Sequence, residues 1–136
     1  MKTWTLNAII KAVIAGLSLA ATALFGGWGE ALTILVILFA VDIASGVIRT
    51  IGQKELSSNL SWKGMGKKVL TLLIVALSAQ LDNLLGSAPT LRDATVVFYC
   101  ITEALSIVEN AVAAGLPVPD AVMKVLKQSN EKKFID

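Results

Sequence analysis

Six side chains between positions 99 and 110 set the chemical problem. Tyr99, Thr102, Glu103, Ser106, Glu109 and Asn110 recur at spacings of three and four, which puts them on one face if the segment is helical. The other face is Val, Ile, Leu and Ala, fit for lipid. Acids on such a helix can relay ions or protons, line water, or fix the packing of neighbouring helices. Asp42 and Asp82 raise the same question in two other apolar segments. Catalysis is a poor fit. The chain has no histidine, its one cysteine (Cys100) lies in an apolar run, and no CxxC occurs. Neither a nucleophile–base pair nor a metal cluster is visible, and no cofactor or metal is expected.

The acidic stripe is costly in lipid. A central acidic residue costs about 2.5–3.5 kcal/mol on the insertion scale, and each Leu, Ile, Phe or Val returns about 0.3–0.6 kcal/mol. Glu103 stands near the centre of 94–113, where some eight strongly apolar residues return roughly 2–5 kcal/mol. The two sides nearly cancel, so this helix inserts poorly alone and readily beside other helices or further copies. In a dry resting state the glutamates are expected to hold their protons, and to ionise once wetted.

The elements that must position these residues follow from composition. Of 136 residues, 55% are apolar and only 16% charged, against roughly one-quarter charged in soluble domains. A soluble four-helix bundle would need far more Lys and Glu on its exposed faces. The expected fold is all-α: one membrane domain over 1–136, an integral helical bundle with spans at about 6–25, 31–48, 69–85 and 94–113. A basic loop at 49–68 and a tail at 116–136, holding a short amphipathic helix, complete it.

In the first span Ala8, Ala12, Gly16 and Ala20 recur every four residues, a small-residue ridge of the kind that lets membrane helices approach closely. A secretory signal ending near Ala21-Thr22-Ala23 is a rival reading, opposed by the second apolar segment that follows. Gly26, Gly27 and Gly29 with Trp28 make an interfacial turn. In the second span Leu38, Asp42, Ser45 and Arg49 share a face, so Asp42 can meet Ser45, while any ion partner must come from a neighbouring helix. Asp42 then either fixes helix register or faces an aqueous path. The loop holds Arg49, Lys54, Lys63, Lys67 and Lys68 as a basic anchor, with Ser61 as an N-cap for the third span. Its Gly64-Met65-Gly66-Lys67-Lys68 lacks the spacing of a phosphate loop. Thr71, Ser78 and Asp82 share a face of the third span, with Gln80 and Asn83 beside them. Gly115 offers a stop for the fourth helix and Pro117 and Pro119 prevent its continuation. In the tail Val122, Val125 and Leu126 oppose Lys124 and Lys127, which suits a membrane surface or a packed terminus.

Basic clusters without interleaved aromatics fit a lipid surface better than nucleic acid. Four spans place the start, the basic loop and the tail together in the cytoplasm and leave only Glu30, Arg92 and Asp93 in the outer turns, as the positive-inside rule requires. The topological alternative is three spans with the last segment along the surface.

Several stretches form an ordered pattern: Asp42-Ile43-Ala44-Ser45-Gly46-Val47, Leu56-Ser57-Ser58, Gly64-Met65-Gly66-Lys67-Lys68, Glu103 through Asn110, and Gly115-Leu116-Pro117-Val118-Pro119. Together, over about Phe39 to Leu126, they resemble the phage-lysis and toxin-secretion holins. The resemblance implies a small protein of the bacterial inner membrane that accumulates and then oligomerises into lesions. These collapse the membrane potential and release an endolysin or a toxin, a functional partner without necessary direct contact. In such an oligomer the polar face would line water, with Glu103, Ser106, Glu109 and Asn110 first and Asp42 next. Two other readings remain open: a small ion or proton channel or transporter subunit using Asp42, Asp82, Glu103 and Glu109, and a non-conducting assembly factor whose acids only fix packing.

Overall fold

A computed structural model describes residues 2–53 and 58–131, with side chains described except at 58–61 and 129–131. Five helices follow one another: α1 (Thr3–Phe25), α2 (Glu30–Gln53), α3 (Ser58–Leu85), α4 (Thr90–Ala113) and α5 (Asp120–Glu131). No strand occurs among the described residues. Four segments, Thr3–Phe25, Glu30–Gln53, Trp62–Leu85 and Thr90–Ala113, run 23 or 24 residues with mean hydropathy from 1.5 to 2.5. At about 1.5 Å per residue each is long enough for the roughly 30 Å of bilayer hydrocarbon. The chain is therefore an all-helical, multi-pass membrane protein.

Glycine ends the helices where expected. At Gly26 (φ 71°) the chain turns left-handed and its N–H donates to the Thr22 carbonyl at 3.0 Å. After α4, Gly115 (φ 93°) donates to Val112 O and Leu116 N–H donates to Ala111 O, each at 3.0 Å. This paired closure satisfies carbonyls that the last helical turn leaves open.

The stretch 49–68 departs from expectation. Its described residues are helix: α2 continues to Gln53 and α3 starts at Ser58, so Arg49, Lys63, Lys67 and Lys68 are helical. Ser61 lies within α3 rather than at its cap. Lys54 and Leu56-Ser57 fall outside the described residues, as do Lys132 and Lys133. The physical reason is that a backbone near lipid must satisfy its own hydrogen bonds, which favours continued helix. An internal glycine such as Gly64 or Gly66 costs only about 1 kcal/mol against that.

Helix α4 is the centre of the packing, in contact with α2, α3 and α5, whereas α1 touches chiefly α3. The apolar core joins Leu32, Leu35 and Phe39 of α2 to Val75 of α3 and Val96 of α4. It lies towards the end of the bundle that carries Gly26 and Gly86, called here the glycine end. In α5, Met123 and Leu126 turn inwards, while Val122 and Val125 are exposed. Its inward face is thus one step round from the Val122, Val125 and Leu126 face anticipated, and of the two settings anticipated it takes the packed one.

Candidate functional site

The buried face of α3 is a regular series. Lys68, Thr71, Val75, Ser78 and Asp82 are all less than one-tenth exposed, and their spacings of three and four make one stripe. Thr71 and Ser78 return their hydroxyls to Lys67 O and Ile74 O of their own helix, and Ser78 also meets Thr95 of α4 at 2.9 Å. The two charged members sit at opposite ends of the stripe.

Lys68 anchors a charge cluster between three helices. Its ammonium donates to Asp42 Oδ2 of α2 at 2.8 Å and to Glu103 Oε2 of α4 at 2.7 Å. The three side chains are 9%, 16% and 12% exposed, and the ammonium also lies 5.0 Å from the centre of the Phe39 ring. Asn110 completes the network. Its Nδ2 donates to Asp42 Oδ1 at 3.2 Å and to Ser45 Oγ at 3.0 Å, while the Ser45 hydroxyl donates to Asp42 O. Asp42, Lys68 and Glu103 each stand ten or eleven residues from the helix ends at Gln53, Ser58 and Ala113. That is about 15 Å of helix, half the hydrocarbon thickness. Asp42 and Glu103 are thus midway along α2 and α4, while Lys68 stands six residues inside the apolar segment Trp62–Leu85. A charge left unpaired there is very costly, so the lysine and its carboxylates are mutually dependent.

At the glycine end, Asp82 does different work. Its carboxylate accepts from Leu91 N–H at 3.1 Å, Arg92 N–H at 2.9 Å and the Ser87 hydroxyl at 3.1 Å. It therefore caps the first turn of α4 from α3, satisfying amides that no helical carbonyl can reach. Two more polar side chains fasten α1. Gln80 Nε2 donates to Ala23 O and Leu24 O, and Arg92 Nη1 donates to Phe25 O and Gly26 O. These donors meet the last carbonyls of α1, where positive charge is favoured. Elsewhere α1 buries no residue.

Of the polar face on α4, the structure brings Glu103 and Asn110 into the cluster with Asp42. Tyr99 packs against the apolar core and edge-on to Phe98. Thr102 donates to Phe98 O of its own helix. Ser106 is half-buried and Glu109 exposed. Asp82 stands apart at the other end of α3. The ridge of Ala8, Ala12, Gly16 and Ala20 is exposed along α1, and a methyl group at Gly16 would meet nothing within 4 Å. Among the basic residues Lys63 and Lys67 are exposed and Arg49 is half-buried. Lys68 is no anchor; it is 8% exposed because two carboxylates pull it into the bundle. The partner foreseen for Asp42 on a neighbouring helix is this lysine. It was legible, since reading the face of Asp82, Ser78, Val75 and Thr71 one step back lands on Lys68. Among the described residues no group of His, Cys, Asp and Glu could hold a metal.

Helices of spanning length around a compensated charge cluster define a multi-pass membrane protein with a polar interior device. Residues 19–131 match the bacteriophage holin family, and the chain belongs to that family. It is 37% identical over 125 residues to an uncharacterised 14.9 kDa protein of Clostridium perfringens, covering 91% of this chain and 95% of that protein. It is 33% identical over 105 residues to a "probable holin" of Bacillus phage phi105, covering 75% of this chain and 78% of the phage protein. A Listeria monocytogenes protein, also uncharacterised, is 35% identical over 121 residues, with 89% and 86% covered. No solved structure matches. Family membership gives the chain a holin function, in the membrane and without enzymatic activity. The stretches that carried the resemblance supply the cluster itself: Asp42 and Ser45, Lys68, then Glu103 and Asn110.

Proposed function

We propose that the chain works in the bacterial inner membrane with both termini in the cytoplasm, accumulates there, and oligomerises into lesions. These lesions collapse the membrane potential and release an endolysin or another exported protein, with no direct contact required between holin and cargo. The supporting observation is the buried interhelical cluster of Asp42, Lys68, Glu103 and Asn110. It lets one copy carry charged groups in apolar spans without water. It also leaves those groups available to face water when helices rearrange in an oligomer. Within one copy Lys68 supplies one counter-charge shared by Asp42 and Glu103.

The test is inducible expression in a bacterium, following membrane potential and release of a folded cytoplasmic enzyme together. Loss of both is the expected result. A selective current without protein release would favour the channel reading, and neither effect would leave an assembly factor. Glu103→Gln combined with Glu109→Gln should change the timing or extent of release; unchanged behaviour would remove the acidic stripe from the working surface.

A further inference from the structure

We infer that Lys68 is an intramolecular latch, which holds the seam between α2 and α3 closed and so sets the delay before assembly. The inference rests on the function proposed above and concerns regulation of the same site. Helix α4 packs closely against both α2 and α3, whereas α2 and α3 pack far less closely against one another and meet through Val75 in the apolar core. Between the two helices the seam is crossed by the long Lys68 side chain, reaching from α3 to Asp42 of α2 at 2.8 Å. The same ammonium holds Glu103 of α4 at 2.7 Å, so one cation ties three helices. Two carboxylates share that single cation, and Asn110 with Ser45 supplies the remaining polar contacts on the Asp42 side.

This arrangement has a built-in asymmetry. While the seam is closed, one lysine serves two carboxyl groups, with the Asn110 amide beside Asp42. Once α3 moves away from α2, Asp42 loses the Lys68 ammonium and needs water in its place, while Lys68 stays with Glu103 of α4. Separation and wetting of the polar face are therefore one event, and rupture of the Lys68 bridge is its threshold.

The experiment compares the parent chain with Lys68→Met, Lys68→Glu and the swap Lys68→Glu/Glu103→Lys, expressed in a bacterium at matched membrane levels. Two quantities are followed: the delay to potential collapse, and the fraction of chemically cross-linked oligomer in membranes sampled before collapse. A latch predicts at least a twofold shorter delay and a raised oligomer fraction for Lys68→Met and Lys68→Glu. It also predicts return of both quantities towards the parent in the swap, which again sets one cation between two carboxylates. Parental timing and oligomer fraction in Lys68→Met would overturn the latch. So would a swap that behaves like Lys68→Glu alone. If the single variants fail to accumulate, the swap decides: accumulation with parental delay supports the latch, and failure to accumulate refutes it. If the parent itself never depolarises the membrane, the proposed function fails, while the oligomer fractions still report on the bridge.

Discussion

Asp82 and Glu103 are both acids in apolar helices, yet their neighbours make them different kinds of residue. Asp82 is consumed by the three donors of the α3–α4 turn, a cap in the ordinary sense. Asp82→Ala should therefore lower the melting temperature of the detergent-solubilised protein by several degrees and speed amide exchange at Leu91 and Arg92, with Asp82→Asn milder. Unchanged exchange at those two amides would show that the cap contributes nothing. Glu103 instead depends on a charge 35 positions away in the chain. That difference marks what sequence reading reaches. Helical spacing located Glu103, Asn110 and Asp42 and required Asp42 to find its ion partner on another helix. It missed Lys68 because Gly64, Gly66 and adjacent lysines resemble a loop, whereas burial among carboxylates overrides that composition. It also gave no warning that Gln80 and Arg92 would meet the end of α1, since such contacts depend on how the helices are arranged in space.

At the scale of elements, the helix ends set by Gly26 and Gly115 were readable from residue type, because only a left-handed turn closes the last carbonyls there. The start of α3 was not, because lipid-side helix persists beyond the apolar residues that announce it. The seat of α5 was open between membrane surface and bundle, and the packed form settles on α4. Leu126 lines a wholly apolar groove of about 340 Å³ with Ala31, Leu38, Cys100 and Ala104. The chain's one thiol and Leu126 thus line the same groove. In membranes, Leu126→Cys should form an intramolecular disulfide with Cys100 on mild oxidation, visible as a shift between reducing and non-reducing gels. A cysteine at exposed Val125 should do so much less. Equal yields from both positions would mean that α5 has no fixed seat.

For the molecule as a whole, four helices of spanning length make an even number of crossings the natural reading, and the lysines then choose the side. Reporters fused to the N- and C-termini should both be active only in the cytoplasm; activity of one on the far side would restore the three-span alternative. The weight of the molecule is carried unevenly across those helices. The family match begins at residue 19, so most of α1 lies outside both the shared pattern and the buried core, fastened by Gln80 and Arg92 at one end. A helix held out in this way gives each copy a long boundary with lipid for its mass. Every acyl chain along that boundary is ordered by contact, and copies that meet side by side release some of those chains to the bulk. The gain grows with crowding in the plane of the membrane and requires no new specific contact. Boundary lipid set free along α1 would make copy number itself a driving force for association.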